Sequence, residues 1–244
     1  MMRGDFLVPD WPAPARVCAA MTTRAGGVSE GPWASLNLAT HVGDDTAAVA
    51  ENRRRLRVAL EFAAEPSWLN QVHGREVARL PGALPQAADG AVAFDRGVVC
   101  AVLVADCLPV FLASSDGDRV GLAHAGWRGL AAGVVEATVV ALGCDPARIV
   151  AWLGPAIGPQ SFEVGEEVRA AFVADDRAAA AHFEAGREGR WLADLPALAR
   201  RRLMACGVAS VHGGGNCTVS DPARFYSYRR DGVTGRMAAL AWLA

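Results

Sequence analysis

The apolar residues of this chain fall into short uninterrupted runs that alternate with stretches of helical spacing. The run Val98-Val99-Cys100-Ala101-Val102-Leu103-Val104 leads to Asp106-Cys107-Leu108-Pro109 and resumes as Val110-Phe111-Leu112, the pattern of strands buried on both faces. Pro109 predicts an interruption of regular pairing there, because it lacks the amide hydrogen that a central strand uses. Residues 119–123 read as a second strand that runs directly into His124-Ala125-Gly126-Trp127-Arg128-Gly129. The alanine- and valine-rich segment from Leu130 to Leu142 then predicts a helix, which leaves His124 at a strand-to-helix junction. Ile149 to Leu153 is a third buried strand, ending at Gly154-Pro155, and Val208 to Val211 is a further one. Helical spacing marks 44–62, where Val49, Leu56 and Leu60 share a face, and also 165–173 and 195–206. The alternation predicts class α/β in one compact domain spanning residues 1–244, with no repeat or linker and with 175–185 as a peripheral insertion.

Composition narrows the class of function. With 244 residues, 52% of them hydrophobic, the chain can bury a substantial core. The formal charge is −2, and no basic run exceeds Arg53-Arg54-Arg55 or Arg200-Arg201-Arg202, both in helical segments, so nucleic acid is not an expected partner. All 24 basic residues are arginine, which reads as a GC-rich coding background rather than as selection for phosphate binding. No apolar stretch reaches the roughly 20 residues that cross a bilayer, and a cytoplasmic protein with no membrane partner is the expectation. Six scattered cysteines without a C-x-x-C pair predict reduced thiols rather than a disulfide scaffold.

Three soft or borderline metal donors stand in turns punctuated by glycine or proline: Gln71-Val72-His73-Gly74, Ala105-Asp106-Cys107-Leu108-Pro109 and His124-Ala125-Gly126-Trp127. Two imidazoles and a thiolate suit zinc, and three protein ligands leave a fourth tetrahedral position open, as in a catalytic rather than a structural site. Their separations along the chain match no compact finger and no metalloprotease helix. Two other readings of the same residues stand beside this one. Cys107 and His124 could be core packing and a hydrogen-bonded neighbour of Trp127, or Cys107 could be a nucleophile with either histidine as its base. With only five histidines, a multicopper oxidase is disfavoured.

Asn70-Gln71-Val72-His73-Gly74, Ala105-Asp106-Cys107-Leu108-Pro109-Val110, His124-Ala125-Gly126-Trp127-Arg128-Gly129 and Phe225-Tyr226-Ser227-Tyr228-Arg229-Arg230-Asp231 occur in that order. They are joined by Ser35-Leu36-Asn37-Leu38, His41-Val42-Gly43-Asp44, Asn52-Arg53, Gly154-Pro155-Ala156-Ile157-Gly158, Phe162-Glu163-Val164 and Thr234-Gly235-Arg236. In this ordered set the chain resembles the laccase-domain (YfiH-like) purine nucleoside phosphorylase family over nearly its whole length. The resemblance implies layered mixed sheets with outer helices, and zinc held by His73, Cys107 and His124. It also implies phosphorolysis of adenosine, inosine, guanosine and methylthioadenosine together with deamination of adenosine, so that purine nucleosides and phosphate are the expected partners. Family members also carry the names polyphenol oxidase and peptidoglycan editing factor. Two rival functions remain open: a cysteine-type amidase or hydrolase that edits peptidoglycan precursors through Cys107, and a non-enzymatic, zinc-stabilised binding module.

Within that frame, Asp106 and Glu163 are the first acid–base candidates, although either could equally orient backbone groups. Phosphorolysis calls for a fixed guanidinium to hold the dianion. Arg53 is the first candidate and Arg128 the second, with Asn37 and His41 for nucleoside hydroxyls or phosphate. Their ordinary alternatives are a helix-surface arginine, packing on Trp127, and turn or cap hydrogen bonds. Tyr226, Tyr228 and Arg229 are expected to close the core, and His182 and His212 stand outside any motif. No oligomeric state follows from the sequence.

Overall fold

The computed structural model describes residues 6–82 and 87–244. In chain order its first elements are β1 (Phe6–Leu7), β2 (Val17–Thr22), α1 (Thr46–Ala59), β3 (Ser67–Trp68), β4 (Val77–Leu80), β5 (Gly90–Ala93), β6 (Cys100–Val104), β7 (Leu108–Ser114) and β8 (Val120–Ala125). There follow α2 (Trp127–Ala132), α3 (Val134–Leu142), β9 (Ile149–Leu153), β10 (Glu163–Val164), α4 (Glu166–Val173), β11 (Phe183–Ala185), β12 (Trp191–Ala193), α5 (Leu195–Ala205), β13 (Ser210–Gly213), α6 (Tyr228–Asp231) and β14 (Met237–Leu243). The strands form a five-stranded sheet in the order β1-β2-β14-β6-β3, a six-stranded sheet in the order β13-β9-β7-β8-β5-β4, and a small sheet β10-β12-β11. Both large sheets are mixed: β3–β6, β4–β5 and β9–β13 pair parallel and the remaining pairs antiparallel.

Side-chain alternation turns these sheets into layers. Along β6, Cys100, Val102 and Val104 enter the core between the two large sheets, where they meet Phe111, Leu122, Trp152 and Met237. Ala101 and Leu103, on the opposite face, pack with Leu36, Leu38 and Leu56 beneath α1. The outer face of the six-stranded sheet, from Leu108, Val110, Leu112 and Ala123, is covered by α3, α4 and α5 through residues such as Val135, Val139, Phe172 and Leu203. A strand buried on both faces therefore shows no polar alternation, which is why the sequence reads as continuous apolar runs. The result is the expected α/β fold of layered mixed sheets with outer helices.

Local chemistry sets the element ends. Asp45 caps α1 by accepting from the Ala47 amide, and Val49, Asn52 and Leu56 form its buried face. Asp194 caps α5 the same way, accepting from Ala197, with Pro196 in the first turn. Four expectations need correction. Pro109 lies inside the central strand β7, opposite His124 of β8. It is tolerated there because pairing with β9 starts only at Val110 and the Pro109 carbonyl still accepts from Gly154 N–H, at 2.9 Å. The helix expected from Leu130 to Leu142 is two helices, starting earlier at Trp127 and broken at Gly133, whose φ of 94° only glycine adopts without strain. The segment 175–185 is no mere insertion: it forms a turn of 3-10 helix and then β11, and it buries Ala179 and Phe183 in the core under α4. The late strand lies at Ser210–Gly213, two residues beyond its expected start, in register with Val150–Leu153.

Candidate metal centre and its cavity

Strand register brings the three donors together. In the β7–β8 ladder Leu108 pairs with Ala125 and Pro109 with His124, so Cys107, just before β7, and His124, near the end of β8, meet at one end of this central strand pair. Gly90 of β5 pairs with Ala123, which places Asp89 beside His124. The Asp89 carbonyl accepts from His124 N–H at 2.7 Å and its Oδ1 bonds the His124 Nδ1 at 2.7 Å. The same carboxylate accepts the backbone N–H groups of Val72, His73 and Gly74, at 3.0, 3.0 and 2.7 Å. Asp89, wholly buried, thus ties the His73 loop to the His124 strand. Burial alone would raise its carboxyl pKa, but the bonds from His124 and Gly74 overcome this and hold it below the usual range.

The loop needs that support. His73 has φ 59° and Asp106 φ 90°, both in the left-handed region that non-glycine residues avoid. Gln71 pins the first loop to β6 by exchanging two hydrogen bonds with the Leu103 backbone, at 2.9 and 2.8 Å. Asp106 is pinned at both carboxylate oxygens, accepting from Thr218 Oγ1 at 2.6 Å and from Arg229 N–H at 2.7 Å. Gly126 supplies the remaining room: a Cβ there would lie 2.8 Å from Cys107 Sγ and 3.3 Å from His73 Cδ2.

The outcome is a triad in which the donor atoms of His73, Cys107 and His124 all lie within 4.8 Å of one another. Cys107 Sγ is 4.0 Å from His73 Nε2, and the two imidazole rings meet edge to face at 4.9 Å. With Nδ1 of His124 donated to Asp89, its Nε2 is the nitrogen left for a metal, the arrangement in which a carboxylate fixes the tautomer of a histidine ligand. Burial would push the Cys107 thiol up, yet His124 and His73 pull it down to about 6, so the sulfur is a thiolate ready to ligate. His124 is buried and His73 exposed, which leaves the triad open on one side. It opens into a cavity of about 450 Å³ that is also lined by His41, Asn70, Tyr228 and Arg236.

Comparison with known proteins gives the same placement. Residues 18–244 match the family model described as multi-copper polyphenol oxidoreductase laccase. The chain belongs to this laccase-domain family. Among curated relatives it is 56% identical over 239 residues to a purine nucleoside phosphorylase of Pseudomonas aeruginosa, covering 98% of each chain. It is 50% identical over 241 residues to the purine nucleoside phosphorylase YfiH of Escherichia coli strain K12, again over 98% of each. Among solved structures, a Neisseria meningitidis protein of the DUF152 family superposes with a TM-score of 0.94 at 48% identity, covering 98% of this chain and 99% of that one.

The sequence-derived candidates of this laccase-domain chain separate cleanly. His73, Cys107, His124 and His41 line the cavity. Arg53 does not: its Nε and Nη2 both donate to the Leu38 carbonyl, at 2.9 and 2.8 Å, and its guanidinium lies over the Trp68 ring. Asn37 is buried in the same loop, bonded to Ala39, to Asp44 and to the Arg236 N–H. Both residues hold the loop that carries His41. Arg128 stacks on Trp127 outside the cavity, and Glu163 pairs with Arg187. Asp106 orients the backbone and Thr218 rather than facing the cavity. Tyr226 and Arg229 are structural as expected, the first buried with its hydroxyl on the Trp33 carbonyl and the second bonded to the carbonyls of Ser161 and Glu163. Tyr228 departs from expectation by standing exposed at the cavity. Asp89, Gly126 and Arg236 were not singled out by sequence reasoning. The only local signal for Asp89 was a lone acid among Ala87, Ala88, Gly90 and Ala91, a residue that needs partners if it is buried. Among the described residues, no helix is long and apolar enough to cross a membrane.

Proposed function

We propose that this chain is a zinc-dependent purine nucleoside phosphorylase. It would take adenosine, inosine, guanosine or methylthioadenosine with phosphate to the free base and the sugar 1-phosphate, with deamination of adenosine as a second reaction of the same cavity. The observation that carries this reading is the pairing, in one cavity, of an open His–Cys–His triad with a polar wall bearing His41 and Arg236. The names of the phosphorylase relatives support it.

The donor set fits zinc. Two neutral imidazole nitrogens and a thiolate are its preferred ligands, and tetrahedral zinc sets donors about 3.3 to 3.6 Å apart, so the triad closes on an ion by a small contraction. His124 Nε2, His73 Nε2 and Cys107 Sγ would hold it, with Asp89 behind two of the three. Bound there, zinc supplies Lewis acidity and fixed positive charge, the resource that attack at C6 of adenosine requires. Among the described residues, His73, Cys107 and His124 are the one donor group suited to a metal, whereas multicopper oxidases need several centres.

In phosphorolysis an oxygen of hydrogen phosphate bonds to C1′ as the C1′–N9 bond breaks; the electron pair leaves with the base, which takes up the proton that the phosphate gives up on becoming the sugar ester. The protein's part is to hold both reactants in line, to meet the charge of the phosphate, and to offer the base a surface. Tyr228 presents an aromatic face at the cavity mouth, and base stacking on such a face is sequence-tolerant, in keeping with several purines as substrates.

The test is to incubate zinc-loaded protein with adenosine, inosine and methylthioadenosine, with and without phosphate, and to follow base, sugar phosphate and ammonia. Base release that ignores phosphate sinks the phosphorylase reading. A cysteine hydrolase is the second reading, favoured by the low Cys107 pKa beside two histidines. It requires turnover that survives chelation and stops on thiol alkylation.

A further inference from the structure

We infer that His41 and Arg236, with Arg53 behind them, form a subsite for inorganic phosphate on the cavity wall facing the metal triad. This deepens the phosphorylase reading and rests on it. Arg236 immediately precedes β14 and is held at several points: its Nη1 donates to the carbonyls of Thr234 and Gly235 at 2.9 and 3.0 Å, and its backbone N–H to Asn37 Oδ1 at 2.9 Å. Its Nε and Nη2 have no protein acceptor among the described residues, and no carboxylate there lies within ion-pair distance of the guanidinium. A guanidinium keeps its proton under all ordinary conditions. Burial lowers the Arg236 pKa, and Cys107 and Asp106, beyond ion-pair distance, offset this only in part, so an arriving anion that meets the free N–H groups relieves a standing cost.

Three basic groups converge on this part of the wall. His41 shares the cavity wall with Arg236. Burial, then the charges of Arg236 and Arg53, lower its imidazole pKa. Arg53 stands one layer back, where the Leu38 carbonyl and Trp68 fix its guanidinium, so its charge is felt without its reaching into the cavity. Two fixed cations and an imidazole that donates a hydrogen bond are what a tetrahedral dianion needs, and the Arg fork suits its paired oxygens. The Arg236 guanidinium carbon lies 5.8 Å from the Tyr228 ring centroid, so phosphate and a stacked nucleoside would be neighbours, as attack at C1′ demands.

The experiment uses the full zinc-loaded chain. Inorganic phosphate alone is titrated by calorimetry, and the phosphate KM is measured at saturating inosine, for the wild type and for Arg236→Gln, Arg236→Lys and His41→Gln. Arg236→Gln is expected to weaken phosphate binding ten- to hundredfold and to raise the phosphate KM in step, with the inosine KM within about twofold and zinc content unchanged. Arg236→Lys recovers part of the loss and serves as the test if the glutamine variant does not fold. His41→Gln weakens phosphate by about tenfold or less. Unchanged phosphate affinity in folded, zinc-replete Arg236 and His41 variants overturns the subsite, even where phosphorolysis proceeds. Arg236-dependent phosphate binding by a wild-type protein that performs no phosphorolysis upholds the subsite and removes the phosphorylase reading instead. A nucleoside 5′-monophosphate is the parallel probe: if it alone shows Arg236-dependent affinity, the assignment to inorganic phosphate falls.

Discussion

Replacing Asp89 by asparagine changes one atom and should disable the metal centre. The carboxylate receives four donors, two on each oxygen: His73 N–H and His124 Nδ1 on Oδ1, and Val72 N–H and Gly74 N–H on Oδ2. An amide keeps only one acceptor oxygen, so in either flip its NH2 faces two donors. With the oxygen toward Val72 and Gly74, the His124 imidazole loses the partner that keeps its hydrogen on Nδ1 and its Nε2 free. With the oxygen toward His124, the turn that carries His73 loses its anchor while His73 is held at φ 59°. Two stranded buried donors cost about 2 to 6 kcal/mol at roughly 1 to 3 each. In a chain of this size, at about 2 to 4 °C per kcal/mol, that lowers the Tm of the metal-free protein by roughly 4 to 24 °C. Loss of a carboxylate that orients a histidine ligand weakens metal affinity by about 10- to 100-fold, and here two ligands are affected. Differential scanning calorimetry of the metal-free protein and zinc titration against a competing chelator measure the two effects. Asp89→Asn protein with wild-type zinc affinity would refute the reasoning, whatever its Tm, because the claim is that one buried carboxylate sets two of the three ligands.

Other expectations follow from particular contacts. Cys107→Ala and His124→Ala each remove a ligand, so metal and turnover are lost together, read by elemental analysis and the phosphorolysis assay; full activity after chelation contradicts this. Gly126→Ala is compatible with the local backbone, φ −63° and ψ 161°, but sets a methyl 2.8 Å from Cys107 Sγ. Zinc should bind at least about tenfold more weakly while the metal-free Tm changes little, measured by the same titration. Tyr228→Ala should raise the nucleoside KM by about tenfold and Tyr228→Phe should not, if the ring serves as a stacking face. Burial pushes the Cys100 thiol up to about 12, above the ordinary thiol value of 9.0. Because the folded pKa lies above the unfolded one, this group contributes stability that is complete below pH 9 and lost between about 9 and 12. The loss approaches roughly 1.4 kcal/mol per pH unit. Urea unfolding of Cys100→Ala, compared with wild type from pH 8 to 11, should show a correspondingly shallower decline.

The fold was legible where local pattern and tertiary burial agree. Ile149–Leu153 is read to the residue, because a fully apolar run is bounded by Arg148 and Gly154. The buried face of α1 is foretold by Val49 and Leu56. Pattern failed where a single backbone detail decides. Gly133 splits a helix whose neighbours all favour continuing it, and Pro109 is accepted in a central strand because its missing donor falls where pairing with β9 has not begun. In the site, the triad was legible through ordered motifs and not through spacing. Arg53 was preferred for its place beside Asn52, but side-chain direction on α1 sends its guanidinium to the Leu38 carbonyl, one layer behind the cavity wall.

That displacement explains how the centre is built. The residues whose chemistry is conspicuous in sequence, the thiol and the two imidazoles, come from three separate turns, and none of those turns is held by its own side chains alone. His73 is positioned by Asp89 and Gln71, and Cys107 by Asp106 through Thr218 and the backbone of Arg229. His41 is positioned by Asn37 and Arg53. Asp89, Asp106 and Asn37 are polar residues buried where the fold would otherwise favour apolar ones, Gln71 and Arg53 are half-buried, and each bonds backbone groups of a neighbouring turn or strand. Substituting them should therefore disturb metal or phosphate affinity before it disturbs the layered core. The reverse order, with global unfolding preceding any loss of zinc affinity in the Asp89 and Gln71 variants or of phosphate affinity in the Asn37 variant, would mean that these residues serve the fold first and the centre only by consequence.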